Sequence, residues 1–168
     1  MSRFSVYLLT FARSGKFHRY PDASLLIIYY SSLSNMLTNV EHIGIAVRSL
    51  ADANDLFTKL LNVAPYKAES VESEYVTTSF FQINQTKIEL LEATDSSSPI
   101  AKFIEKKGEG IHHIAFEVDD ILAEMERLKG EGFTLLNEAP KRGADNKLVC
   151  FLHPKGTNGV LIELCQGI

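Results

Sequence analysis

Glu41-His42-Ile43-Gly44-Ile45-Ala46-Val47 reappears 71 residues later as His112-His113-Ile114-Ala115-Phe116-Glu117-Val118. Both stretches read as a short buried strand that opens on a histidine, and self-similarity of this kind decides an architecture before any single element is assigned. The sequence downstream of each copy is also alike. Ser49 and Asp52 are set as a capping box ahead of Ala53, Leu56, Phe57, Leu60 and Leu61 at helical spacing. In the second copy Asp119 or Asp120 is placed to cap a helix with the apolar stripe Ile121, Leu122, Met125 and Leu128, and Gly130 marks its end.

β-type sequence then closes each copy. Residues 76–83 turn at Asn84-Gln85 into 86–92, and residues 148–153 turn around 156–159 into 160–164. The closing runs match as Ile88-Glu89-Leu90-Leu91 against Ile162-Glu163-Leu164-Cys165. A short helix joins the copies, with Ser98 as cap, Pro99 at its first position, Ile100, Phe103 and Ile104 on its apolar face and Gly108 as its stop. The expected fold is α+β: two paired βαβββ modules, about 40–93 and 111–165, forming a curved mixed sheet around a central cleft, with a linker helix at about 98–107.

A chain of 168 residues, 45% hydrophobic and 23% charged, has the composition of a soluble globular domain. Its longest apolar run, 25–30, is cut by Ser31 and Ser32, far short of the roughly 18 residues of a membrane span. Lys106-Lys107 and Lys141-Arg142 are too short to be a nucleic-acid footprint, so neither membrane nor nucleic acid is an expected partner. Cys150 and Cys165 lie in apolar strand-like runs and read as buried free thiols of a reducing compartment, the cytoplasm. Residues 1–36 stand apart: Arg3, Arg13, Lys16 and Arg19 against Asp22 give a net +3 in a chain of net −4, leaving −7 to the rest. Without a convincing secretory or transit signal, that segment is read as a tail upstream of a start at Met36, with the domain at 37–168.

Singly, Glu89 and Glu163 would be taken to face solvent by period-2 alternation, and a lone histidine beside an apolar run would be taken as structural. Repetition changes that reading. A histidine on the first strand and a glutamate on the last occur in both modules, and a pseudo-twofold axis would gather His42, Glu89, His113 and Glu163 in one cleft. A carboxylate buried in a strand is costly unless paired or bound to a cation. Two imidazoles and two carboxylates suit a divalent ion such as Zn, Co, Ni, Mn or Fe(II) and leave coordination positions open. His112, by strand alternation, should point away from this set, and His153 should sit at a loop edge.

From Val40 to Gln166 the chain resembles the vicinal oxygen chelate superfamily (glyoxalase, bleomycin resistance, dioxygenase) and, within it, the methylmalonyl-CoA epimerase family. The two His-led stretches and Thr86-Lys87-Ile88-Glu89-Leu90-Leu91-Glu92 carry the superfamily resemblance, with Gly159-Val160-Leu161-Ile162-Glu163-Leu164. Ser98-Pro99-Ile100-Ala101 and Phe151-Leu152-His153-Pro154-Lys155 point to the epimerases.

The resemblance implies interconversion of (2R)- and (2S)-methylmalonyl-CoA through an enolate stabilised by a divalent metal, Co2+ foremost, with Zn2+, Ni2+ or Mn2+ as alternatives. It implies His42, His113 and Glu163 as ligands, Glu89 at a fourth position where members can carry Gln, and a small-molecule acyl-CoA partner in a homodimer. Glu163 matches one acid/base of the family. The other lies in some members at the position of Thr78, which cannot be a general base at neutral pH, so Glu89 is the symmetric candidate and Glu74 or a metal-bound water the alternatives. Rival readings are a glyoxalase I-like lyase or isomerase on the same site, an extradiol dioxygenase, and a non-catalytic small-molecule-binding resistance protein.

Overall fold

The repeated apolar runs pair with each other antiparallel, from Asn39 opposite Glu117 to Ala46 opposite Gly110, with two breaks in register. In the computed structural model, which describes residues 37–168 and the backbone of two short strands, β1 (Thr10–Phe11) and β2 (Phe17–His18), the chain divides into two compact units, Met1–Asn35 and Met36–Ile168. Strands β1 and β2 pair antiparallel; the expectation that residues 1–36 form a tail otherwise lies outside the described residues.

Met36–Ile168 contains β3 (Asn39–Val47), α1 (Leu50–Leu61), β4 (Lys67–Val71), β5 (Val76–Ile83) and β6 (Thr86–Ala93) as one βαβββ module. After α2 (Pro99–Lys107) comes a second module: β7 (Gly110–Glu117), α3 (Ile121–Gly130), β8 (Lys141–Arg142), β9 (Lys147–Leu152) and β10 (Leu161–Gly167). The eight strands form one curled mixed sheet in the order β4-β5-β6-β3-β7-β10-β9-β8. First and last strands of each module run parallel, β3 with β6 and β7 with β10, and the modules join where β3 meets β7 antiparallel.

Registers repeat across that seam. Gly44, two residues past His42, lies beside Glu89, and Ala115, two past His113, lies beside Glu163. Phe80 is opposite Glu89 on β5 as Phe151 is opposite Glu163 on β9. Alternation sends Phe81 and Leu90 outward under α1, in a core with Val47, Leu50 and Ala53, while Phe80, Glu89 and Leu91 face the cleft. The second module repeats this with Leu164, Cys150 and Leu152 under Ile121, Met125 and Leu128 of α3.

Side-chain caps set the helix starts. Ser49 Oγ accepts from Asp52 N, Ser98 Oγ from Ile100 N and Asp120 Oδ1 from Ala123 N, and Gly108 stops α2 at φ 77°, a conformation a Cβ disfavours. The expected apolar stripes are wider than the buried faces. Leu56, Leu60 and Leu122 are 61%, 69% and 61% exposed, so α1 packs through Leu50, Ala53, Phe57 and Leu61, and α3 buries Glu124, paired with Arg127, instead of Leu122. Gly130 is the last residue of α3 rather than the first beyond it.

Candidate metal centre

Each of the four residues singled out by repetition is delivered by a strand centre, and all four converge. His42 Nε2 and His113 Nε2 lie 2.8 Å apart, with rings crossed at 85°. Glu89 Oε2 stands 3.2 Å from His42 Nε2 and 3.5 Å from His113 Nε2; Glu163 Oε2 stands 3.7 and 3.1 Å from the same atoms. All four side chains are buried, so the single-residue expectation that the two glutamates face solvent fails: the sheet curls, and its inner face is closed off. Gly44 makes room for this packing, because a Cβ there would lie 2.2 Å from His113 Cε1.

Charge is balanced within the cluster. Burial works to neutralise every member, and hydrogen bonds and ion pairing reverse it. His42 and His113 are raised above the usual imidazole value by Glu163 and Glu89, with Glu41 acting on His42 as well. Glu89 and Glu163 are held below the usual carboxylate range by the same two imidazoles.

These residues fit a divalent cation. Glu41 Oε2 lies 2.6 Å from His42 Nδ1, which holds a ring proton on Nδ1 and leaves Nε2 as the inward nitrogen, the one that gives up its proton when a cation binds. There it meets another imidazole nitrogen and two carboxylate oxygens, a set of acceptors that only protons or a cation can satisfy. Nitrogen and oxygen atoms separated by about 3–4 Å match neighbouring ligands around one ion at about 2 Å from each. Glu41, His42 and Cys165 form a second cluster with donor atoms in reach of one another, but burial pushes the Cys165 thiol up to about 12, away from the thiolate a metal needs.

His112 does not point away. The β3–β7 pairing slips at two places, once between Val40 and His42 and once between Gly44 and Ile45. The residues left over are Glu41 and His112, each directly before a cluster histidine. A bulge puts two successive side chains on one face, which strict alternation forbids. Hence Glu41 reaches His42, and His112 Nδ1 lies 2.9 Å from His113 Nδ1 while its ring packs edge-on to Phe103. Burial, then the neighbouring His113, lowers His112 to about 4, so it is a neutral partner where Glu41 is an anionic one.

Glu41 is held in turn. Its Oε1 is ion-paired to Lys87, and to Lys147 at 3.3 Å, and its carboxyl falls to about 2, burial being outweighed by His42 and Lys87. Lys87 also reaches Asp145 at 2.7 Å, in the turn between β8 and β9, which Lys67 and Tyr66 grip from β4 and the segment before it. Together with the Lys141–Glu74 ion pair, these contacts tie the outer strands of the two modules across a cavity of about 290 Å3.

Thr78, Glu74 and Phe151 line that cavity, whereas His153 caps the short turn after β9 and is not among its lining residues. Thr78 is fully buried, and its Oγ1 has no hydrogen-bond partner among the described residues. An unsatisfied buried hydroxyl costs about 1–3 kcal/mol. Sequence reasoning does not single out Glu41, Gly44, Lys87 or Lys147; the one available signal is the polar residue preceding the histidine in both copies.

Residues 41–151 match the model of the glyoxalase/bleomycin resistance protein/dioxygenase superfamily. The chain is 43% identical to the ethylmalonyl-CoA/methylmalonyl-CoA epimerase of Cereibacter sphaeroides over 133 residues, covering 78% of this chain and 99% of that protein. The methylmalonyl-CoA epimerase of Mycobacterium tuberculosis superposes with a TM-score of 0.77 at 33% identity, over 80% of this chain and 91% of that one. A Streptomyces coelicolor methylmalonyl-CoA epimerase variant in complex with 2-nitronate-propionyl-CoA gives 0.77 at 33% identity, over 79% and 99%.

Proposed function

Since the chain belongs to the glyoxalase/bleomycin resistance protein/dioxygenase superfamily, we propose that it is a methylmalonyl-CoA epimerase, interconverting (2R)- and (2S)-methylmalonyl-CoA by removing and returning the α-proton. One observation carries this reading: two imidazoles and two carboxylates, one of each from either module, meet at a single buried point that opens on a cavity. No helix among the described residues is long and apolar enough to cross a membrane.

His42, His113, Glu163 and Glu89 would hold the divalent ion, Co2+ first in our assignment and Zn2+, Ni2+ or Mn2+ after it. When bound, such an ion supplies Lewis-acid stabilisation of the charge that develops on substrate oxygen as the α-proton leaves. The chain's own part is acid–base chemistry. Inversion at one carbon needs a proton taken from one face and given to the other. Glu163 and Glu89 come from opposite modules and flank the histidine pair, so each can serve one face through the carboxylate oxygen not turned to the imidazoles. The walls formed by Phe80, Leu91 and Phe151 keep water from quenching the carbanion. The same reading places the protein as a homodimer in cytoplasmic propionate metabolism, in keeping with the free, buried Cys150 and Cys165.

The test is solvent exchange at the α-carbon of (2R)-methylmalonyl-CoA in deuterated water, with metal-loaded and chelator-treated protein. Metal-dependent deuterium incorporation with formation of the (2S) form is expected. A folded, metal-loaded sample that exchanges nothing overturns the assignment in favour of a glyoxalase I-like activity.

A further inference from the structure

Strand register sets the residues of the two cleft walls in correspondence position by position. On β5, Phe80 is opposite Glu89 and Thr78 is opposite Leu91; on β9, Phe151 is opposite Glu163 and Val149 is opposite Cys165. Val149 is therefore the counterpart of Thr78 in the other module. Both line the cavity, and both are buried, at 4% and 0% exposure. Valine and threonine have one shape. The sequence thus places a hydroxyl on one wall where the other wall is served by a methyl, and it does so where the hydroxyl finds no partner among the described residues. The neighbours of Thr78 on that wall, Val76, Phe80 and Leu91, offer none. A group that costs stability and packs no better than valine answers to something that enters the cavity.

We propose that Thr78 is a substrate-binding residue whose hydroxyl donates a hydrogen bond to an oxygen of the malonyl head of the bound acyl-CoA; the proposal rests on the epimerase reading. Thr78 is two residue pairs along the β5–β6 ladder from Glu89, one step on the same face, and diagonal neighbours on one face stand about 7–8 Å apart. A malonyl group seated at the four-residue cluster spans that gap with its carboxylate or thioester oxygen. A threonine hydroxyl keeps its proton at neutral pH, so facing an oxygen acceptor it donates. The hydroxyl marks one face of the cleft as different from the other, which a substrate with unlike ends requires.

The decisive variant is Thr78→Val, which copies the residue already accommodated at Val149. With the metal-loaded protein, it is expected to raise Tm by about 3–8 °C. It is also expected to lower kcat/KM by about 10- to 100-fold and to weaken malonyl-CoA binding in titration calorimetry by a similar factor, with metal content unchanged. Thr78→Ser, which keeps the hydroxyl, should restore most of both. Wild-type kcat/KM and malonyl-CoA affinity in Thr78→Val overturn the proposal, as does loss of activity in step with loss of metal. Failure of the wild-type protein itself to epimerise would instead remove the reading on which the proposal stands.

Discussion

The module of β3, α1 and β4–β6 and the module of β7, α3 and β8–β10 share an element order and differ in the side chains that matter. Their strands repeat the same registers, and each supplies one histidine and one glutamate to the centre. Around that common frame, three equivalent pairs diverge. Glu41 backs His42 while His112 backs His113; Ala115 lies across from His42 while Gly44 lies across from His113; Thr78 in one module corresponds to Val149 in the other. Repetition is what brings four metal-competent side chains to one point at low informational cost. Divergence is what lets a symmetric centre treat the two ends and two faces of an asymmetric substrate differently.

The largest effect should come from testing whether the two glutamates are equivalent as bases. Glu163→Gln and Glu89→Gln should each lower epimerisation by about 10²–10⁴-fold while retaining metal. Each variant should still exchange the α-proton of one epimer only, the one whose proton faces the surviving carboxylate, and the two variants should favour opposite epimers. Deuterium uptake measured separately on (2R) and (2S) substrate reads this directly. If Glu89→Gln epimerises normally, the symmetry ends at coordination, and the second proton carrier lies elsewhere, with Glu74 the next carboxylate on the cavity wall.

A second break in symmetry is steric. Gly44→Ala would drive a Cβ into the His113 ring, whose Cε1 would be 2.2 Å away. Displacing that ring should cost about 1–3 kcal/mol in stability and remove most of the bound metal. Ala115→Gly, at the related position, should cost about 0.5–1 kcal/mol from backbone entropy and keep its metal. Chemical denaturation with metal analysis on both variants separates the two cases; equal behaviour would mean that the close approach at Gly44 does not position His113.

The part of the structure legible in the sequence is local. Ser49, Ser98 and Asp120 announce helices because a cap acts within three residues, and Glu89 and Glu163 stand out because each interrupts an apolar run at the same place in a repeat. The rest depends on partners far along the chain. Alternation alone puts His112 on the wrong face because a bulge is a property of two strands in register, and its own strand carries no sign of it. Strand β8, with two residues, is too short for any period, and the Asp145 ties to Lys67 and Lys87 join residues 78 and 58 positions apart. Leu56, Leu60 and Leu122 mislead for a simpler reason: helical spacing defines a stripe but not how much of it the sheet covers.

The smallest and most discriminating difference lies behind the histidines. A carboxylate on Nδ1 fixes the tautomer of His42 and makes its Nε2 a stronger donor to a cation, whereas the neutral His112 orients His113 without adding charge. Glu41 is ionised down to about pH 2, so this difference persists across the working range. Glu41→Gln keeps an oxygen for the ring N–H but removes the charge and with it the ion pairs to Lys87 and Lys147, and it should weaken metal affinity by about 10- to 100-fold. His112→Asn leaves an uncharged hydrogen-bonding side chain in place and should weaken it by a smaller factor. Competition for metal against a chelator of known affinity measures both without turnover. Equal losses would mean that the two bulges serve geometry alone, and that the charge behind His42 contributes nothing that an uncharged partner does not.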